Sequence, residues 1–491
     1  MLPNGVTIQH PDRLFIEGKW IAASGRKQFE LVDPNTELLI GQVAEASPED
    51  MDRAVAAARR AFDEGPWPRM QAAERIQWLR RMHAELERRT PEIAQAWVAQ
   101  VGGLAMISGP MTHSANAAFE SMLALADTFD FVEARPSAVA NVALLIREPV
   151  GVVAAIAPWN APYVIMLAKV VSALVAGCTV VMKPAPETPL EAYLIAEAAE
   201  AAGLPPGVLN LACGDREASE RLVVNPAVDK VSFTGSTLAG RRIASLCGER
   251  IARCTLELGG KSAAIVRDDF PLEEAAAILA QSIVMLSGQV CGMLSRAIVS
   301  RARHDALAEA IKREMQRIRI GNSDDPQTQL GPLAMKRQLE RVESYVEEGK
   351  RTADHVTGGD RPAHLNRGYF LEPALFANVD NRSRIAQEEI FGPVLSLIPA
   401  QDDGDAVRIA NESAYGLNGA IFTHDADAAY RMARAIRTGN IAQNAMRIDP
   451  ALPIGGFKQS GIGREGSEEG LLSYLETKTV LLDARPKALA D

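Results

Sequence analysis

The residue whose type most invites chemistry is Cys291, set among small and apolar neighbours in GQVCGML. A thiol becomes a nucleophile when a base or an electropositive setting favours the thiolate. The nearest histidine downstream, His304, is thirteen residues away, so any partner must come from elsewhere in the fold, and otherwise the thiol is core filler. Glu257, in ELGGKS, ends an apolar stretch and is followed at once by two glycines. A carboxylate in such a setting has its pKa pushed up, which suits a general base; the plainer reading is a solvated glutamate at a strand end. Asn160, in APWNAP, offers a side-chain N–H to an oxyanion or belongs to a rigid turn.

Two glycine patterns bear on phosphate binding. GIGREG, 461–466, matches G-x-G-x-x-G letter for letter, but it follows the glycine-rich PIGGFKQS. The pattern needs a buried strand before it, so that a helix N-terminus meets the pyrophosphate. KVSFTGSTLAG has the right context: a strand runs into Gly235, and the amides of a helix start, with the Ser236 hydroxyl, can hold a phosphate. Alone, such a turn is more often plain architecture.

These candidates sit in a chain of 491 residues, long enough for about three domains. The net charge of -10 gives no reason to bind nucleic acid or an anionic membrane. Five cysteines, Cys178, Cys213, Cys247, Cys254 and Cys291, show no zinc spacing, and no metal is expected. The N-terminal MLPNGVTIQHPDRLF lacks the pattern of a signal peptide, and so few cysteines suit a reducing, cytoplasmic setting. The apolar run Tyr163 to Met182 contains Lys169 and is broken by Gly177, which predicts a buried helix followed by a buried strand rather than a membrane span.

The positioning elements follow from periodicity. Ser47 caps a helix with Pro48 in its first turn and Met51, Val55, Ala58 and Phe62 on one face; a charged helical region, 71–100, follows. From Val150 the texture alternates. VGVVAAIAP, CTVVMK, VLNLAC and KVSFT predict strands with helices between, one of them capped by Thr188 in a box with Glu191 and closed by Gly203. A second alternating region begins near Glu257 and includes SAAIV, a helix from Leu272, AIVS, a helix from His304 to Arg317, VLSLI and GAIFT. TGGDRPAHLNRGYF forms a surface hairpin within it. Strands separated by helices imply crossovers and a mostly parallel, doubly wound sheet.

PWN at 158–160, KPAPETP from Lys183, FTGS from Phe233, ELGGKS from Glu257, GQVC ending at Cys291, EEIFGPV from Glu388 and PIGGFKQSGIGRE from Pro453 occur in an order that resembles the aldehyde dehydrogenase superfamily, from LFIEGKWIAASG to LETKTV. The resemblance implies an α/β fold: a doubly wound, Rossmann-like cofactor domain (1–128 and 150–256, with a return over 458–470), an α/β catalytic domain (257–457) and a small β oligomerisation element (129–149 and 471–491). It implies Cys291 as nucleophile, Glu257 as base, Asn160 with the Cys291 amide as oxyanion hole, and Lys169 with Glu465 as a second proton route. On the cofactor side it implies Lys183 at the adenosine ribose, Trp159, Gly235 and Ser236 at the pyrophosphate, Glu389 at the nicotinamide ribose, and Phe391 near the ring. The implied reaction oxidises an aldehyde to a carboxylic acid through a thiohemiacetal and a thioester, in a homodimer or homotetramer.

Two departures qualify this. Three places after Lys183, where many members carry a glutamate that repels a ribose 2′-phosphate, this chain has Pro186, and the acid is Glu187. NAD is the expected cofactor, with NADP also accepted. GNIAQN and AMRIDPAL also depart from the common pattern. Positions resembling the substrate tunnel carry Ala161, Val164, Ala168, Gly292, Ile448 and Ile454 where several members carry rings, which predicts a bulky apolar aldehyde; Arg447 is the contrary sign and would suit an acidic semialdehyde. The rival readings are a coenzyme-A-acylating member, a cysteine hydrolase of esters, and a catalytically silent scaffold.

Overall fold

The computed structural model describes Pro3 and residues 5–486; residues 1, 2, 4 and 487–491, which the expected segments 1–128 and 471–491 include, lie outside the described residues. Among these, an eight-stranded sheet has at its centre five parallel strands in the order Arg253–Glu257, Lys230–Thr234, Val152–Ile156, Thr179–Lys183 and Leu209–Leu211. The chain begins the parallel series at Val152–Ile156, moves outward to Leu209–Leu211, then returns to Lys230–Thr234 on the other side. That reversal is a topological switch point, where a crevice opens beyond the carboxyl ends of the strands. Helices Pro162–Ala176, Leu190–Ala201, Arg216–Val224 and Thr237–Glu249 make the crossovers, and apolar residues cover both sheet faces. Gly461–Ile462 joins the edge antiparallel to Arg253–Glu257, so GIGREG contributes an edge strand rather than a phosphate loop.

A seven-stranded sheet follows, parallel except for Asp354–Thr357 at one edge, with Leu294–Ser300 between Val394–Ala400 and Ser262–Val266. The antiparallel pairing of Asp354–Thr357 with Ala374–Ala377 is the hairpin around TGGDRPAHLNRGYF. Val132–Arg135, Val142–Pro149 and Leu475–Leu482 form a separate antiparallel sheet. No helix among the described residues is long and apolar enough to cross a membrane. The run Tyr163 to Met182 is the buried helix Pro162–Ala176 and the buried strand Thr179–Lys183.

Two local expectations need correction. The region 71–100 is two helices, Ala72–Arg88 and Thr90–Val101, because Pro91 cannot donate into a continuing helix and instead opens a new one. Thr188 does not cap Leu190–Ala201, which begins after Pro189 without a side-chain cap. Glu191 accepts a hydrogen bond from Gln100 of the neighbouring helix instead, and tertiary packing overrides the local box. The box at Ser47 does form, with Asp50 as its acid.

Candidate active site

The strand ends at the switch point gather the predicted residues. Trp159 and Asn160 follow Val152–Ile156, Lys183 ends its strand, Gly235 and Ser236 follow Lys230–Thr234, and Glu257 ends Arg253–Glu257. The register pairs Thr234 with Glu257 and Ser232 with Thr255. Alternation then puts Ser232, Thr234, Thr255 and Glu257 on one face.

Cys291 arrives from the other sheet, just ahead of Leu294–Ser300. Leu286, Ser287 and Gly288 before it all adopt left-handed conformations, and a Cβ on Gly288 would lie 2.1 Å from the Gly392 carbonyl carbon. Only glycine satisfies both the positive φ and that approach. On the opposite side, a Cβ on Gly260 would meet the Cys291 carbonyl oxygen at 2.2 Å, so the second glycine of ELGGKS lets the two loops touch. Gln289 clamps the turn: its amide donates to the Leu286 carbonyl at 2.9 Å, and its oxygen accepts from the Ala334 amide at 3.0 Å. Its own carbonyl accepts from Asn160 Nδ2 at 2.8 Å. Asn160 is further held by Trp97, whose indole donates to the Asn160 carbonyl at 3.0 Å. Asn160 Nδ2 keeps a second N–H, and the amides of Cys291 and Gly292 reach the sulfur.

Burial pushes the Cys291 thiol up to about 12, with the charges of Glu257 and Glu389 adding to it. The free thiol is therefore held protonated, and its activation has to remove or offset a negative charge. Glu257 is pushed up to about 8, by burial first and then by Glu465, against Lys169 and Arg464. One Glu257 oxygen has no hydrogen-bond partner among the described residues. Lys169 is fully buried and ion-paired to Glu465. Glu465 is fixed in turn by backbone pairing with Ile454, at 2.8 Å in each direction.

Cys291, Glu257 and Glu465 share the wall of a cavity of about 550 Å³ with Val164, Ala168 and Ile454. Ala161, Gly292 and Ile448 are not in that wall: Gly292 backs onto Asn418 and the tip of Ile448, which is more than a third exposed. Arg447 is exposed and absent from it too. One whole side comes from the helix Ala105–Thr128, through Ala115, Ala118, Phe119, Met122 and Leu125, spaced at three and four residues. The ionisable carboxylates of the wall are Glu257, Glu465, Glu468 and Glu469, and no lysine or arginine lines it.

The residues expected to hold a cofactor lie around the same switch point. Ser236 caps the thirteen-residue helix Thr237–Glu249, accepting from the Ala239 amide at 3.3 Å, which leaves its hydroxyl hydrogen and the first-turn amides to meet a phosphate. Lys183 is buried, and the cost of burial lowers its pKa. Glu389 accepts from the Gly260 amide at 3.1 Å and is pushed up to about 7 by burial. Phe391 meets Trp159 edge to face, with centroids 5.3 Å apart. An anion-binding helix start, a buried cation and a carboxylate around one switch point fit a dinucleotide. Glu187 does not face Lys183 alone: Arg337, from the helix Lys336–Thr352, holds its carboxylate at 2.5 Å. No group of three or more metal-binding side chains occurs among the described residues.

Sequence reasoning missed Gln289, Phe119, Met122 and Arg337. Only Gln289, beside the cysteine in GQVC, carried a local signal. The aldehyde dehydrogenase family model matches residues 20–480. A geranial dehydrogenase of Castellaniella defragrans is 42% identical over 97% of this chain and 100% of its own length. A 3-succinoylsemialdehyde-pyridine dehydrogenase of a Pseudomonas species is 37% identical over 95% of this chain and 98% of its own. Among solved structures, a Mycobacterium tuberculosis aldehyde dehydrogenase complexed with NAD+ superposes with a TM-score of 0.94 at 40% identity, over 97% of this chain and 99% of the other.

Proposed function

The chain belongs to the aldehyde dehydrogenase family and is an NAD-dependent oxidoreductase that converts an aldehyde to a carboxylic acid, and from that premise we propose that its substrate is a bulky apolar aldehyde. The carrying observation is the cavity wall: a volume of about 550 Å³, bounded mostly by aliphatic side chains and Phe119, with the thiol and Glu257, one of whose oxygens has no partner among the described residues, on it. An apolar volume is filled best by an apolar ligand. An acidic semialdehyde would meet four carboxylates and no arginine, which removes the support Arg447 lent that reading.

In this reading the Cys291 thiol gives up its proton to water as the sulfur adds to the carbonyl carbon; the amides of Cys291 and Gly292, and the positive charge that bound NAD would bring, offset its high resting pKa and leave Glu257 free for the later step. The oxyanion of the thiohemiacetal takes the second N–H of Asn160 and the Cys291 amide. Bound NAD, held by Lys183, Trp159, Gly235, Ser236 and Glu389 with Phe391 beside it, supplies the hydride acceptor. Glu257 then deprotonates a water that attacks the thioester, and Lys169 with Glu465 carries the proton away. A coenzyme-A-acylating role has no use for Glu257, and an ester hydrolase would turn over without cofactor. The geranial dehydrogenase likeness supports the apolar substrate. The free thiols suit a cytoplasmic enzyme, and the small sheet, with Val132 and Leu481 exposed, suits pairing into a homodimer or homotetramer.

The deciding experiment compares kcat/KM for acetaldehyde, decanal, a cyclic aldehyde and succinate semialdehyde. Decanal or the cyclic aldehyde is expected to win. Victory for the smallest or the charged substrate overturns the proposal.

A further inference from the structure

Beneath the cavity, the Lys169–Glu465 pair meets two buried hydroxyls, those of Ser232 and Tyr474, that the mechanism above does not use. Ser232 is fully buried at the middle of Lys230–Thr234, a central strand of the first sheet. A hydroxyl there is costly unless it is bonded, and it is bonded completely. Its oxygen accepts from Tyr474 Oη at 3.0 Å and from Lys169 Nζ at 3.3 Å. With both acceptor positions taken, its hydrogen goes to Glu465 Oε1 at 3.3 Å. Tyr474 is itself immobile: it is buried, its ring lies under Lys230 Nζ at 4.7 Å, and its carbonyl accepts from the Val150 amide at 3.0 Å. It immediately precedes Leu475–Leu482, at the root of the three-stranded sheet.

We propose that Ser232 and Tyr474 are positioning residues for the Lys169–Glu465 pair, with the Tyr474 hydroxyl fixing the Ser232 rotor so that its proton is always presented to Glu465. The proposal rests on the reading of Glu257 as the base. Ser232 sits on the same sheet face as Glu257, two residues back along the adjoining strand. The Ser232 hydroxyl thereby fixes the orientation of Glu465 against Lys169, next to Glu257. The charged and titratable groups facing this cluster are Lys169 from its helix, Glu465 and Arg464 from the late loop, Lys230 and Glu257 from the strands, and Cys178 behind Tyr474. Removing the serine hydroxyl frees the Lys169–Glu465 pair from the strand. The proton route from Glu257 then loses its fixed geometry, and deacylation slows.

The test measures the burst of reduced cofactor and the steady rate that follows it for Ser232→Ala, Ser232→Thr, Tyr474→Phe and, alongside, Glu257→Gln. The steady rate of Ser232→Ala is expected to fall by about tenfold, well short of what a positioned base contributes, with the burst unchanged. Tyr474→Phe lowers it in the same way and Ser232→Thr restores it. A packing role would change stability but not the ratio of burst to steady rate. An unchanged steady rate in Ser232→Ala, with Glu257→Gln stalled after its burst, overturns the positioning role alone; steady turnover by Glu257→Gln overturns the reading beneath it. Should Tyr474→Phe not fold, the two Ser232 variants still decide the matter.

Discussion

Turnover by this enzyme should climb steeply across neutral pH, because Glu257, the base proposed to release the product, is buried beside another carboxylate. Glu257 is raised to about 8 by burial and by Glu465. The deprotonated form is the active one, so activity rises with pH through that value. At pH 6 about one molecule in a hundred carries the ionised base, at pH 7 about one in ten, and at pH 8 about half. Hydrolysis-limited turnover should therefore rise about tenfold from pH 6 to 7 and about fivefold from 7 to 8. A glutamate in the ordinary range would already be ionised at pH 6, and the profile would be flat. Stopped-flow measurement separates the steps: a burst of reduced cofactor followed by a slower steady rate identifies deacylation as limiting, and the steady rate is then read from pH 6 to 9. In Glu257→Gln the burst should persist and the steady rate collapse by two orders of magnitude or more, about what a positioned base contributes. A clear burst in the wild type with a steady rate constant between pH 6 and 8 would refute the reasoning.

Cys291→Ala should abolish oxidation while NAD binding, followed by titration of protein fluorescence, stays within about twofold, because no cofactor contact is removed. Along a series of linear aldehydes, kcat/KM should rise about fourfold per added methylene, the equivalent of about 0.8 kcal/mol of transfer energy, until the cavity is filled. Ala168→Phe should cost decanal about tenfold or more while acetaldehyde changes little; equal losses would place the long chain elsewhere. NAD should be preferred to NADP by a narrow margin, since Arg337 engages the acid that would repel a 2′-phosphate. Arg337→Gln should widen the margin by no more than about fivefold, because Arg337 is largely exposed and water screens the pair, and comparison of kcat/KM for both cofactors checks it.

The strands and loops of the site were legible because their signals are local. Buried strands show as apolar runs, and the glycines of FTGS, ELGGKS and GQVC mark places where the backbone must turn tightly or approach another loop. Features that depend on what packs opposite were not legible. Ala115, Phe119 and Met122 read as the apolar stripe of any buried helix, and only the tertiary arrangement turns that stripe toward Cys291. Thr188 and Glu191 have the spacing of a capping box, yet the side chain of Gln100, ninety-one residues from Glu191, is the partner the glutamate takes. Glu187 is legible as a displaced acid, whereas Arg337, which neutralises it, comes from the other sheet's helices. Gly292 and Ile448 pack against one another beside Cys291 rather than in the cavity wall, a contact that nothing in their local sequence announces.

One signal was present and unread. Strands of a parallel sheet covered on both faces are normally near-continuous apolar runs, and VVAAI and TVVM follow that rule. KVSFT does not: its lysine, serine and threonine alternate with valine and phenylalanine. Alternation in a strand that cannot face water means that one buried face is polar, and a buried polar face must be satisfied residue by residue. Here Lys230 bonds Thr255 at 2.7 Å, Ser232 gathers Tyr474, Lys169 and Glu465, and Thr234 stands level with Glu257. The period of two in that strand therefore lays a row of polar side chains from the root of the small sheet to Glu257. It is also what brings Lys169, on a helix that is otherwise apolar, to lie against the same strand.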